Sequence, residues 1–513
     1  MRLRRRGAVA ALIVASVASA SASACAAPAA GTTITNVRII DGTGAAMQPG
    51  AVRIVGDTIV AVGEIMPEAN DSVVDGQGMV LAPGFIDTHS HHGGGLLDSP
   101  TALAAVSQGI TTIVAGNDGS HSYPLQRAFD SLTVVQPSVN VASYAGHGTI
   151  RARVMGKDFA RKATPAEIDS MAVLLKQELD AGALGLSTGL EYDPGIYSDR
   201  AEVLALTKVA AGAGGRYISH IRSEDRWFWD AIDEIIAIGR EAKIPVQISH
   251  IKLAMVPLWG QADSLVRVLD AARASGVDIT ADIYPYPYWQ STMTVLFPAR
   301  DFGDRAEAEK VLREIVTPDG LLIGHYAARP SYAGRTLASV ARERKEPPAV
   351  TLMALIRESL AWEEKNPGQS GESIVATSMD EGDIVKLLAW EHTNVCSDGS
   401  EGGAHPRGFG AFPRVFSRYV AGRKVLSLEQ AVHKMTGLSA THMGFARRGT
   451  IAPGQFADLV LFDPARVTDR ATPETPHLVS AGIQRVWVNG RTVWRDGATL
   501  RARAGRVLVR ESR

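Results

Sequence analysis

Between residues 80 and 400 the chain alternates short apolar runs with amphipathic stretches, and this alternation constrains the fold more than any other feature. Eight runs read as buried strands, at 80–86, 111–115, 140–145, 184–187, 216–220, 245–250, 278–283 and 393–397. Helical periodicity fills several of the gaps, for example at 165–181, 229–242 and 262–275. Eight strands joined by crossover helices predict an α/β fold of the closed (β/α)8, TIM-like barrel kind. With 513 residues the chain is long enough for such a barrel plus an accessory domain.

The two ends have a different texture. "TTITNVRIIDG", "GAVRIVGD" and "TIVAVGEI" near the start, and "ADLVLFDP" and "IQRVWVNGRTVWRDG" near the end, alternate apolar and polar residues and break at Gly and Asp. Asn489-Gly490 is a hairpin signal. The expectation is a small β-sandwich built from both termini, residues 31–82 with 448–500, flanking a barrel over 83–447. About a hundred residues separate the last two strands, far more than a usual connection. Segments such as "AEAEKVLREIV" and "AVTLMALIRESL" give this stretch, about 287–392, the texture of a helical insertion or lid.

The chain opens with arginines, an apolar run over 8–17, and small residues up to Ala24-Cys25, the pattern of a secretory signal peptide over 1–24. The run is too short to span a membrane. Cys25 then becomes a candidate for lipidation, although Ala22 stands where a lipobox usually has Leu; plain export and lipid anchoring both stay open. Either route predicts a periplasmic or extracellular protein. Loss of Arg2, Arg4, Arg5 and Arg6 would take the formal net charge from −1 to −5, which leaves no basic face for nucleic acid. The only other cysteine is Cys396, so no internal disulfide is expected once Cys25 is lipidated or lost.

Catalytic residues of such barrels sit where strands end. "LAPGFIDTHSHH" places His89 and His91 at the end of the first strand, two apart and therefore on one side. "YISHIR" ends with His220, "VQISHIK" with His250 and "NVCSDGS" with Asp398. A single histidine at a strand end is usually a hydrogen-bonded or surface residue, and this chain has 13. Four imidazoles and one carboxylate converging on one mouth are a different matter, and suit Zn²⁺ or a similar divalent ion.

These motifs, with "GALGLSTGLEY", "DIYPYPY", "SDG…HPRGFGAFPRVFSRYV" and "GTIAPGQFADLVLFDP", resemble the amidohydrolase superfamily, and within it the N-acyl-D-amino-acid deacylases (D-aminoacylases). The resemblance implies a centre of one or two ions. His89, His91 and Asp398 match its first site, and His220 and His250 its second. The family's Cys in "GNCG" is replaced here by Asp118 in "GNDG", a harder ligand that admits Mn²⁺ or Co²⁺ beside Zn²⁺. Alternatively Asp118 is only a turn residue. The resemblance further implies hydrolysis by metal-activated water, with Asp398 relaying the proton. It implies a substrate carboxylate held by Lys252, Arg407, Tyr192 and Tyr284. His147 and Arg151 in "GHGTIR" are secondary candidates for pocket lining. His92, His121, His325, His392, His405, His433, His442 and His477 are assigned no site role, and Cys396 is assigned to the core.

Two rival functions stand beside this one. A cyclic amide or a dipeptide would suit the same fold, but relatives acting on cyclic amides often carry a carboxylated Lys at the fourth strand end, where this chain has "LGLSTG". A non-catalytic periplasmic binding protein would have no need of Asp398.

Overall fold

The computed structural model describes residues 30–511; the leader and Cys25 lie outside the described residues. Eight strands form the barrel: β1 (Phe85–Asp87), β2 (Ile110–Ala115), β3 (Asn140–Ser143, continued by Ala145–Gly146), β4 (Gly185–Gly189), β5 (Arg216–His220), β6 (Val246–Ile248), β7 (Ile279–Ile283) and β8 (Thr393–Val395). Neighbours pair in parallel in chain order. The ring closes between β8 and β1 just beyond the strand ends. There the Asp398 N–H donates to the His89 carbonyl and the His91 N–H to the Gly399 carbonyl, both at 2.9 Å. Helices cover the outside. Pro165–Asp180 begins with a capping box in which Thr164 and Glu167 each accept from the other's backbone N–H. Phe228–Ala242 and Ala262–Ala274 bury one apolar face each.

The run at 80–86 is two strands rather than one. Val80–Pro83 pairs with Leu459–Phe462 and Thr32–Ile39 in the terminal sheet, whereas Phe85–Asp87 opens the barrel. Gly84 is the joint: a Cβ there would sit 2.2 Å from the Thr111 methyl. Both halves are fully buried, so hydropathy could not reveal the change of sheet.

The terminal domain is one nine-stranded sheet assembled from both ends of the chain. Its strands alternate as a two-faced sheet must. Leu81, Leu459, Leu461 and Trp487 join Ile34, Val52 and Ile54 in a core of the sheet's own. Val80, Ala82, Val460 and Phe462 face the barrel core. Asn489 and Gly490 turn the hairpin between Ile483–Val488 and Arg491–Arg495 with φ of +46° and +78°.

The insertion is not simply helical. Helices Arg305–Glu314 and Pro348–Lys365 accompany a four-stranded sheet of Tyr288–Ser291, Glu372–Thr377, Leu321–Tyr326 and Arg335–Thr336. Its strands are short, and its central partner arrives some eighty residues after the first. Local periodicity carries no trace of such a pairing.

Candidate metal centre and active site

The β1 end delivers His89 and His91, the loop after β2 delivers Asp118, and the ends of β5, β6 and β8 deliver His220, His250 and Asp398. The structure brings all six together. His91 Nε2 lies 3.2 Å from Asp118 Oδ2 and 3.1 Å from Asp398 Oδ1. His89 Nε2 lies 3.2 and 3.5 Å from the same two oxygens. On the other side of Asp118, His250 Nε2 approaches Oδ1 at 3.4 Å and His220 Nδ1 at 3.1 Å. The donors thus form two overlapping groups, His89–His91–Asp118–Asp398 and Asp118–His220–His250, each compact enough for one cation. Asp118 belongs to both, and its two oxygens face different groups.

The backbone is strained here. Asp118, His250 and Asp398 have φ of +53°, +35° and +48°, in the left-handed region that L side chains seldom adopt. Asp118 Oδ1 is also buried without a hydrogen-bond partner. A buried carboxylate oxygen of this kind, ringed by imidazole nitrogens, fits a cation better than it fits the protein alone. Without a cation, protons take its place. Burial opposes protonation of His91 and His250, as does Lys252 for His250, yet the surrounding carboxylates push both up to about 10. Burial would raise Asp398, but the Arg407 guanidinium and His89 hold it below the ordinary carboxylate range.

Three residues that sequence reasoning missed support the cage. Glu191 Oε2 accepts from His220 Nε2 at 2.9 Å, and its other oxygen accepts from the Glu224 N–H at 2.7 Å. Glu224 Oε1 lies 2.9 Å from His250 Nδ1. Asp282 accepts from the His250 N–H at 2.6 Å and from Gln247 at 2.6 Å. Carboxylates behind imidazoles fix the ring orientation and tautomer. A sequence signal existed: Glu191 and Glu224 follow the ends of β4 and β5 by two and four residues, and Asp282 interrupts an apolar strand.

The four substrate candidates lie beside the cage. Lys252 Nζ is 2.6 Å from Glu224 Oε1, and Arg407 Nη1 is 2.6 Å from Asp398 Oδ2. Arg407 Nε and the Tyr284 hydroxyl are buried with no partner, and the guanidinium lies over the Tyr284 ring. Tyr192 packs against His220 with ring centroids 4.4 Å apart and the ring planes tilted by 43°. His147 and Arg151 are placed elsewhere. They share Glu202 at 2.8 Å in a buried network, where Arg151 also holds three backbone carbonyls, and neither lines a cavity at the site. Cys396 is fully buried and free. His405, assigned no site role from sequence, does line the outer cavity, with Nε2 on the Tyr288 carbonyl and Nδ1 accepting from the Arg407 N–H.

Two cavities meet at the cage. A small inner one of about 40 Å³ is bounded by Lys252, Tyr284 and Glu224 and by apolar Ala254, Trp289, Val295, Leu296 and Ile315. A larger outer one of about 580 Å³ opens beyond His91, Asp118 and Asp398. Tyr192, Gln290, Ser291, Asp398 and Arg407 lie on both. The insertion strand Tyr288–Ser291 therefore divides the site.

Residues 72–348 and 397–494 match the model of the amidohydrolase family. The chain belongs to the amidohydrolase family. It is 35% identical to the N-acyl-D-glutamate deacylase of Alcaligenes xylosoxydans xylosoxydans, over 92% of this chain and 95% of that one. The D-aminoacylase and N-acyl-D-aspartate deacylase of the same organism are also 35% identical, over 92% and 93% of this amidohydrolase and 96% and 94% of theirs. Among solved structures, a D-aminoacylase superposes with a TM-score of 0.83 at 34% identity, covering 93% of this chain and 99% of that one. An N-acyl-D-glutamate deacylase from Bordetella bronchiseptica, complexed with zinc and a phosphonate inhibitor that mimics the tetrahedral intermediate, gives 0.82 at 33% identity with the same coverage. Dihydropyrimidinase and hydantoinases share the fold at 16–17% identity.

Proposed function

We propose that this amidohydrolase removes the acyl group from N-acyl-D-amino acids by metal-assisted hydrolysis. The observation that carries the reading is the cage itself: Asp398, held ionised by Arg407, stands beside two overlapping cation sites and a cationic clamp. His89, His91 and Asp398 would hold one ion, His220 and His250 the other, and Asp118 both. Zn²⁺ suits the imidazoles, and the oxygen-rich Asp118 position suits Mn²⁺ or Co²⁺ as well. When bound, such ions supply hydroxide near neutral pH and polarise an amide carbonyl.

The chain's own groups do the rest. Arg407 Nε, the Tyr284 hydroxyl and Lys252 offer donors for the substrate α-carboxylate, which points the amino-acid half into the inner cavity. The apolar wall there would receive its side chain, and about 40 Å³ holds three or four non-hydrogen groups. Asp398 takes the proton of the attacking water and returns it to the amine nitrogen. The water hydroxyl joins the acyl carbon, the C–N bond breaks, and a carboxylate and a free D-amino acid leave. The preference for D over L is drawn from the relatives' substrates. Export, with or without a lipid on Cys25, completes the proposal; the mass of the mature N-terminus tests it.

The deciding experiment is hydrolysis of paired N-acetyl-D- and N-acetyl-L-amino acids after chelation and reloading with Zn²⁺, Mn²⁺ or Co²⁺. Metal-dependent release from the D series alone is expected. No release from either series by protein with metal bound would reject the reading and favour a cyclic amide.

A further inference from the structure

The proposed hydrolysis uses one residue from each of two motifs, Tyr284 from "DIYPYPY" and Arg407 from "HPR". The rest of both motifs is wrapped around His405, which is only 2% exposed. The rings of Tyr284, Tyr286 and Tyr288 surround its imidazole, with centroids 5.9, 5.1 and 4.7 Å away. An apolar ring would fill such an aromatic box without the cost of burying two polar nitrogens. What a histidine adds is direction.

Both ring nitrogens are engaged by backbone. Nδ1 accepts from the Arg407 N–H at 2.9 Å, so it carries no proton. Nε2 therefore holds the ring's proton and donates it to the Tyr288 carbonyl at 2.8 Å. Burial and the Arg407 charge hold the imidazole well below its ordinary pKa, which keeps the ring in this neutral form. The His405 backbone N–H donates in turn to Gln290 Oε1 at 2.8 Å. One histidine thus ties the insertion strand Tyr288–Ser291, at two points, to the residue that opens the helix Arg407–Arg414. The start of that helix is also pressed against the loop after β8: a Cβ on Gly408 would sit 2.5 Å from the Ser400 carbonyl oxygen. Arg407 is held from both sides.

We propose that His405 is a positioning residue for binding of the substrate α-carboxylate: its imidazole clasps the insertion strand to Arg407, so that the wall between the two cavities and the guanidinium are set as one unit. This rests on the deacylase reading above and deepens it. His405 touches no reacting atom, and its effect passes through Arg407. Loss of the clasp leaves the six cage residues in place but lets Arg407 and Gln290 shift, so the loss falls on binding rather than on breaking the C–N bond.

The test is a double-mutant cycle of His405→Phe and Arg407→Lys, with N-acetyl-D-leucine as substrate for the metal-loaded full chain. His405→Phe fills the same space without either nitrogen. It is expected to raise KM about tenfold or more, with kcat changed by less than about threefold and the bound metal unchanged. In the Arg407→Lys background the same substitution should cost less than about twofold, because its effect passes through the guanidinium. His405→Gln, which keeps a donor for the Tyr288 carbonyl, should fall between the Phe variant and the wild type, and it carries the cycle if the Phe variant does not fold. Fully additive losses, an unchanged KM or a loss confined to kcat overturns the positioning role and leaves the deacylase reading standing. No hydrolysis by the metal-loaded wild-type protein overturns both.

Discussion

Two buried polar clusters sit in one barrel, and they are built on opposite principles. Where the start of β3 meets the terminal sheet, Asn140, Arg448, Asp458 and Asn489 form a closed network. Asn140 donates to Asp458 at 3.1 Å, Asn489 donates to Asn140 at 2.8 Å, and the Asn489 N–H donates to Asp458 at 2.7 Å. Arg448 bonds both Asp458 and Asn489. None of the four keeps a buried polar atom without a partner. At the other mouth, the cage has left-handed backbone at three residues and a buried carboxylate oxygen, Asp118 Oδ1, that lacks a hydrogen-bond donor. A satisfied network locks two domains together. A frustrated one is ready for something the protein does not contain.

The sharpest way to break this comparison is Asp398→Asn. If the cage serves chemistry, kcat/KM should fall about 10²–10⁴-fold in the protein that still folds and holds metal. Intact turnover would remove Asp398 from the proton path. The mirror experiment is Asp458→Ala. Leaving Arg448 buried without its carboxylate should cost about 3–5 kcal/mol in denaturant unfolding. The number of bound metal ions in the folded fraction should not change. A loss of metal would mean that the two clusters are one system.

Glu191→Gln sharpens the comparison within the cage, because it loosens His220 while leaving His89, His91, Asp118, His220, His250 and Asp398 in place. Competition with a chelator should show one of the two ions held about 10–100-fold more weakly. Metal affinity should also rise with pH through neutrality. With His91 and His250 pushed up to about 10 in the metal-free protein, a cation must displace their protons, worth about tenfold per proton per pH unit. For the metal-free fold the sign is opposite. The raised values stabilise it fully below the ordinary 6.5 and progressively less as pH climbs toward 10, so its melting temperature should fall over that span. The smallest effect belongs to neither cluster: Lys176→Ala, which removes an exposed pair with Asp180, should change stability by less than about 0.5 kcal/mol.

Much of this was legible in the residue order. Hydrophobic period and length suffice to read eight strands, their helices and a two-ended β domain, because burial imposes that period on the sequence itself. The joint pattern of polar residues that end apolar strands names His89, His91, His220, His250 and Asp398: one imidazole there is commonplace, but five such groups at the mouth of one barrel are not. Tertiary structure alone decided the rest. The turn at Gly84, where an unbroken apolar run changes sheets, depends on the contact with Thr111. The insertion sheet depends on pairing across some eighty residues. Glu191 and Glu224 matter through what they touch, and His147 and Arg151 fail to matter at the site because Glu202 holds them elsewhere. Above all, the division of the mouth into an inner pocket with an aliphatic wall and an outer one without such a wall is made by Tyr288–Ser291, a strand that folds back over the barrel from the insertion. Periodicity records which side of an element is buried, not which distant element buries it.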